Sequence, residues 1–151
     1  SMRRSSSRSI DAGIALALMA LALASCGGGG GVQISLQLKP GSVTTNGTTT
    51  VFDTSALTSL DVLLASAGKS EEDPLVLDAS EQVAIKPKTV DSHAPIHIEV
   101  LGCEDAACSK GAATFRGCTL EDLDFSQRQG PQEVTIEMFP LASAPAGCGP
   151  L

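Results

Sequence analysis

The chain has 151 residues, of which 17 are acidic and 10 basic, so its formal net charge at pH 7 is −7. Such an acidic chain repels the phosphate backbone of nucleic acids, and we expect no nucleic-acid partner. Trp and Tyr are absent and only four Phe are present. The core must therefore be aliphatic, and the aromatic side chains on which carbohydrate-binding modules stack sugars are missing.

The N-terminal residues have the composition of an export signal. Starting from Met2, three arginines precede an apolar run over residues 10–24, which only Asp11 and Gly13 interrupt. A transmembrane helix needs roughly 20 apolar residues, so a permanent membrane-spanning anchor is the weaker interpretation of this run.

The run ends in Leu23-Ala24-Ser25-Cys26, which resembles the lipobox of bacterial lipoproteins. The resemblance covers residues 2–26 and implies cleavage before Cys26, followed by attachment of lipid to the Cys26 thiol. Gly27 in the next position implies sorting to the outer membrane of a Gram-negative bacterium. The alternative is an ordinary secretory signal that is cut near Ser25 and leaves Cys26 as a thiol.

These expectations divide the chain into four parts. Residues 1–25 are the signal peptide, and residues 26–31 are the lipidated cysteine and a flexible glycine tether. Removing three Arg and one Asp changes the net charge from −7 to −9 and leaves residues 26–151, a usual size for one domain. We expect this domain over residues 32–140 and an Ala/Pro/Gly-rich tail over residues 141–151.

Short alternating segments predict an all-β domain. Residues 32–38 alternate apolar and polar side chains without an error, as in a half-buried strand. Similar signals recur along the chain at spacings of about eight to twelve residues, which favours an antiparallel β-sandwich. The pattern resembles immunoglobulin-like domains in strand number and alternation only. The clearest further strands are at residues 96–100 and 134–138, with a turn at Asn46-Gly47.

Residues 55–67 are ambiguous. Leu57, Leu60 and Leu64 lie at helical spacing, which would make the domain α+β with one helix near residues 55–67. Residues 60–64 can equally form a buried strand, and we favour the strand because the neighbouring segments are strand-like.

Four cysteines follow the lipobox, and in an exported chain an even number predicts two disulfides with three possible pairings. We favour Cys103–Cys108, which would staple the tip of a hairpin, and Cys118–Cys148, which would hold the tail to the domain. A crossed pairing of Cys103 with Cys118 would require a different hairpin register.

His93 and His97 are the only histidines, and with Asp91 and Glu99 they could present nitrogen and oxygen ligands to a metal. His97 and Glu99 would share one face of a strand. We favour the simpler interpretation that this face is exposed to solvent, and we expect no metal and no cofactor. The acidic clusters near residues 71–73 and 121–124 are expected to be solvated loops rather than calcium sites.

The chain contains no nucleophile elbow, HExxH motif, phosphate-binding loop or dinucleotide fingerprint, and we do not expect an enzyme. The sequence favours a lipid-anchored envelope protein whose domain has a non-catalytic binding or structural role, with an envelope protein as partner. Two alternatives stay open. One is a metal-binding periplasmic protein that uses His93 and His97, and the other is an envelope hydrolase in which His97 is the residue to test.

Overall fold

The computed structural model describes residues 32–77, 82–91 and 93–149 of the chain. The predictions on residues 1–31, including lipidation of Cys26, lie outside this range. In the described part, no helix is long and apolar enough to cross a membrane. The strands are β1 (Val32–Pro40), β2 (Ser42–Thr45), β3 (Thr48–Val51), β4 (Ser59–Ser66), β5 (Lys69–Val76), β6 (Gln82–Ile85), β7 (His97–Cys103), β8 (Phe115–Cys118) and β9 (Gly130–Pro140), followed by 3₁₀ helices at Leu141–Ser143 and Ala146–Cys148.

The all-β prediction is confirmed, and the ambiguous segment near residues 55–67 contains strand β4 instead of a helix. Both faces of β4 are covered, which explains its nearly continuous apolar sequence. Leu60, Val62 and Leu64 point into the main core, while Leu63 packs against a second cluster on the opposite face. The alternation of these side chains between two faces is that of a strand, so the α+β alternative with a helix near residues 55–67 is wrong.

Seven strands form one mixed sheet in the order β5-β4-β7-β8-β9-β1-β6. All neighbours are antiparallel except β1 and β9, which run parallel from Val32↔Gly130 to Pro40↔Met138. The sheet is therefore not purely antiparallel, and the expected two-layer immunoglobulin-like sandwich is not confirmed. The parallel pair joins the first and last strands of the described residues, so it is the pairing with the largest sequence separation in this sheet.

One face of the sheet encloses the main core, and the alternation predicted for β1 places its side chains correctly. Val32, Ile34 and Leu36 are buried, whereas Gln33 and Gln37 are exposed. The other inward-pointing side chains are aliphatic apart from Phe125 and Met138, as a chain without Trp or Tyr requires. They are Leu60, Val62, Leu64, Val83, Ile85, Val90, Ile96, Ile98, Val100, Phe125, Val134, Ile136 and Met138.

The two ends of the sheet are joined through one side chain. Glu71 of β5 accepts backbone hydrogen bonds from the three consecutive residues that follow β6 in the chain. The distances are 3.0 Å from the Lys88 N–H, 3.2 Å from the Thr89 N–H and 3.4 Å from the Val90 N–H. Because β5 and β6 are the edge strands, this carboxylate links the two edges of a sheet that is nearly closed into a barrel.

Replacing Glu71 with Gln should open this closure. The amide retains one acceptor oxygen but directs N–H groups at the Lys88–Val90 amides, so we expect a loss of about 1–3 kcal/mol in the free energy of unfolding. Urea denaturation followed by circular dichroism measures the loss, and hydrogen exchange should accelerate at residues 88–90. Glu104→Gln removes an exposed carboxylate elsewhere and serves as the control. An unfolding midpoint equal to that of the control would contradict the closing role of Glu71.

Candidate functional site

A groove with a volume of about 690 Å³ lies between β9 and the segment that follows β8. We call it the β9 groove. This volume is within the range of roughly 300–1,000 Å³ that is common for ligand pockets. Residues 118–125 line one side of the groove, residues 133–139 of β9 contribute to the other, and Arg128 and Pro145 lie at its border.

The β9 groove exists because β8 and β9 separate after a short contact. They pair only at Phe115↔Pro140 and Arg116↔Phe139. At Gly117 the two strands are still in close contact, since a Cβ atom on Gly117 would lie 2.5 Å from the Glu137 carbonyl oxygen. Beyond Cys118 the chain continues beside β7 and no longer pairs with β9.

Backbone hydrogen bonds hold this departing segment on β7. The Thr119 N–H donates to the Ile98 carbonyl at 2.9 Å, and Ile96 and Leu123 exchange two hydrogen bonds of 2.8 Å. Among the described residues, the edge of β9 that faces β8 therefore has no strand partner from Gly130 to Met138. Unpaired backbone donors and acceptors at such an edge can pair with an added extended segment.

The walls of the β9 groove combine apolar and acidic side chains. Leu120, which is 70% exposed, lies on the same wall as Leu123 and Phe125. Three carboxylates, those of Glu121, Glu133 and Glu137, line the groove together with a single basic side chain, that of Arg128. The groove is therefore suited to a ligand that carries positive charge beside apolar groups.

The C-terminal tail is fixed beside the β9 groove. The structure places Cys118 and Cys148 at disulfide distance, with Sγ atoms 2.06 Å apart, in the pairing that the sequence favoured. The buried Arg116 guanidinium donates from Nε to Glu99 Oε1 at 2.9 Å and from Nη2 to the Cys148 carbonyl oxygen at 2.5 Å. Pro145 of this tail borders the groove, so the groove depends on a tail that a covalent bond and a charge-assisted hydrogen bond hold in place.

The candidate metal ligands are not gathered into one site. Glu99 is paired with Arg116, and the backbone N–H of the exposed His93 donates to Asp91 Oδ1 at 2.8 Å. His97 Nδ1 lies 3.4 Å from Asp122 Oδ1. No group of three His, Cys, Asp or Glu side chains in the described ranges has the geometry of a metal site.

The His97–Asp122 pair was not predicted from the sequence, because Asp122 comes from the segment after β8, which continues alongside β7. The pair borders a second pocket of about 420 Å³, which Ser66 and Ser70 also line. Ser66 Oγ is occupied, since it donates to the Pro95 carbonyl oxygen at 2.7 Å. Among the described residues, the hydroxyl group that contacts the His97 ring is that of Thr119, whose Oγ1 lies 3.5 Å from Nδ1. Nδ1 also faces Asp122, so this hydroxyl is not in the position that a triad nucleophile takes at the other ring nitrogen.

The Cys103–Cys108 pair is also at disulfide distance, with Sγ atoms 2.02 Å apart. It lies at the C-terminal end of β7, beside the N-terminal end of β4. The loop that it closes is held to the sheet by hydroxyl groups, since Thr58 Oγ1 donates to the Glu104 carbonyl oxygen at 2.9 Å and Ser59 Oγ donates to that of Asp105. The loop thereby helps cover the second apolar cluster, which includes Leu63, Leu101 and Ala113 together with the disulfide.

Asp61 is buried on this covered face. It pairs with Leu101 of β7 and Pro74 of β5, is 1% exposed, and its Oδ1 atom has no hydrogen-bond partner among the described residues. Burial raises the pKa of Asp61 to about 7, with smaller contributions from the hydrogen bond and the negative charge of Glu72 and from Asp73. The burial of Asp61 could not be predicted from the sequence, because a single Asp in an apolar strand is usually interpreted as an exposed position.

No family model matches the chain, and searches of curated proteins and of solved structures found no significant match.

The raised pKa of Asp61 makes stability depend on pH. The folded state keeps this proton up to about pH 7, whereas the unfolded state loses it near pH 4, so Asp61 lowers stability progressively as the pH rises between these values. The Asp61→Asn variant stays neutral at every pH. Its free energy of unfolding relative to that of the wild type should therefore be higher at pH 8 than at pH 4 by a few kcal/mol, since each pKa unit corresponds to about 1.4 kcal/mol.

Urea unfolding at a series of pH values measures this difference. Asp105→Asn, a change at an exposed position, is the matched control and should follow the wild-type curve. Parallel pH curves for Asp61→Asn and the wild type would show that Asp61 is ionised at neutral pH in the folded protein.

Proposed function

We propose that this chain is a lipid-anchored protein of a bacterial envelope, in the outer membrane of a Gram-negative cell. Its domain has a non-catalytic binding role and takes a basic, partly apolar segment of an envelope protein partner in the β9 groove. The observation that carries the binding role is the groove itself, in which an unpaired strand edge, apolar walls and three carboxylates meet.

The geometry of β9 favours an extended basic segment over a compact ligand. The side chains of Glu133, Thr135 and Glu137 are exposed and alternate with buried Val134 and Ile136, so the two glutamates lie on one face of the strand. A segment pairing with this edge would place alternate side chains opposite them, and opposite charges across two strands are favourable. Lysine or arginine at alternate positions fits the acidic face.

The anchoring part of the proposal rests on the N-terminal residues and the cysteines. The lipobox-like Leu23-Ala24-Ser25-Cys26 supplies the lipid acceptor, and the five glycines that follow would span on the order of 12 Å. The domain begins at Val32, directly after this tether. Two cysteine pairs at disulfide distance suit the oxidising environment of the envelope.

The alternatives receive less support. A metal-binding role would use His93 and His97, but among the described residues they do not gather with Glu99 into a cluster that could hold a metal, and Glu99 is paired with Arg116. The His97–Asp122 pair is the one feature that favours a hydrolase. Among the described residues, the hydroxyl at hydrogen-bond distance of the ring is that of Thr119, which lies at the same nitrogen as Asp122 and already accepts from the Ile98 N–H. The binding role requires no group beyond those that line the β9 groove.

A short peptide of alternating lysine and valine is a defined probe of the β9 groove. Isothermal titration calorimetry with the full chain should detect its binding, and the affinity should fall as NaCl is added because the attraction is electrostatic. The double variant Glu133→Gln/Glu137→Gln should bind about tenfold more weakly or worse, since two facing charges are lost.

The control variant Glu104→Gln/Asp105→Asn removes two negative charges outside the groove and should retain nearly the wild-type affinity. A peptide in which glutamate replaces lysine should not bind. Equal losses in the two double variants would mean that net charge, and not the groove, attracts the peptide. Absence of binding by the lysine peptide would refute the proposed role of the groove.

A further inference from the structure

The hairpin formed by β2 and β3 projects from the domain. Its eight strand residues are all exposed, and its two strands form a sheet of their own. Gly41 attaches the hairpin at its base, since its N–H donates to the Met138 carbonyl and its carbonyl accepts from the Phe52 N–H. Phe52 packs edge-on against Phe139, with ring centroids 6.1 Å apart. Beyond this base, no other described segment of the chain pairs with either outer edge of the hairpin or covers its strand residues.

The composition of the hairpin is unlike that of the chain around it. Residues 42–52 contain no charged side chain, and every strand position except Ser42 is Thr or Val. β-Branched residues favour extended backbone. Asn46 and Gly47 close the hairpin with positive φ angles of 52° and 79°, as a tight two-residue turn requires.

The β5 edge of the main sheet is protected, whereas the edges of the hairpin are not. Strand β5 carries Lys69, Pro74 and three acidic residues between them. Charges and proline are devices that prevent edge-to-edge pairing. Neither occurs in the hairpin strands, so their edges remain competent for pairing.

The hydrogen-bond pattern shows which groups the β3 edge offers. In a hairpin with a two-residue turn, Thr45 and Thr48 bond each other, and the next pair, Thr44 and Thr49, directs its backbone groups outward. The Thr44 and Thr49 Oγ1 atoms are 2.9 Å apart, as expected for the closer, non-hydrogen-bonded pair. Val51, which is 64% exposed, is the second outward-directed residue of β3.

We propose that the β3 edge of the hairpin pairs with the β3 edge of a second copy of this chain, forming a four-stranded antiparallel sheet across a two-fold axis. This inference is independent of the function proposed for the β9 groove. The pairing would satisfy the outward backbone groups of Thr49 and Val51 in both copies and bury Val51.

The β3 edge is self-complementary, because antiparallel pairing about a two-fold axis sets Thr49 of each copy opposite Val51 of the other, and the charge distribution permits a second copy there. The chain carries a net charge of −7, and two copies repel wherever their acidic surfaces meet. The uncharged hairpin is a surface that a copy can approach without this penalty. A four-residue strand is roughly 13 Å long, which exceeds the Debye length of about 8 Å at physiological salt. Antiparallel pairing of two hairpins places the two bodies at opposite ends and screens most of their repulsion.

Sedimentation equilibrium of the full chain in a non-ionic detergent tests the proposal. We expect a reversible dimer whose association strengthens with NaCl, because salt screens the repulsion between the bodies and no ion pair holds the interface. Thr49→Lys puts a positive charge on each of two abutting strands and should weaken the dimer at least about tenfold. Thr44→Lys makes the same change on β2, away from the paired edge, and should have a much smaller effect.

Circular dichroism should show that both variants keep the wild-type fold, since both positions are exposed. A chain that stays monomeric at all salt concentrations would overturn the proposal. A dimer that weakens with salt would also overturn it, and so would one that Thr135→Lys, in the β9 groove, disrupts while Thr49→Lys does not.

Discussion

The two disulfides hold the C-terminal tail and the loop after β7 against the outer face of the sheet. Without the Cys118–Cys148 bond, the tail has few apolar side chains with which to order itself, and Pro145 would not border the β9 groove. Without the Cys103–Cys108 bond, the apolar cluster beside Asp61 would lose part of its cover. One border of the β9 groove and the cover over the buried carboxyl group are therefore each held by a disulfide.

A second constraint acts on the inside. A core without Trp or Tyr is enclosed by curling one seven-stranded sheet, so its two edge strands must approach each other. The chain joins them with a carboxylate that binds three backbone amides, not with a strand ladder. The curled sheet is interrupted where β8 leaves β9, and there the strand edge, the acidic side chains and the apolar side chains become accessible together.

Local patterns predicted most of the strands but not their pairing, and the acidic cluster at residues 71–73, expected to be a loop, lies in strand β5. The alternation of residues 32–38 identified β1 and its buried face, yet nothing in it indicates a parallel partner at residues 130–138. The departure of β8 toward β7, which creates the β9 groove, is likewise a matter of tertiary register. Glu71 and Asp122 looked like members of solvated acidic clusters, and their partners come from distant segments. The pairing of the cysteines was easier to predict from the sequence, because the spacing of a hairpin limits which thiols can meet.

The proposed lipid tether, the oxidised cysteines and the proposed envelope partner all presuppose export. Intact mass spectrometry of the chain purified in detergent from a bacterial membrane fraction, before and after reduction, tests export most directly. We expect a chain that begins at Cys26, carries acyl mass and gains the mass of four hydrogens on reduction. A chain without lipid and with free thiols would contradict it.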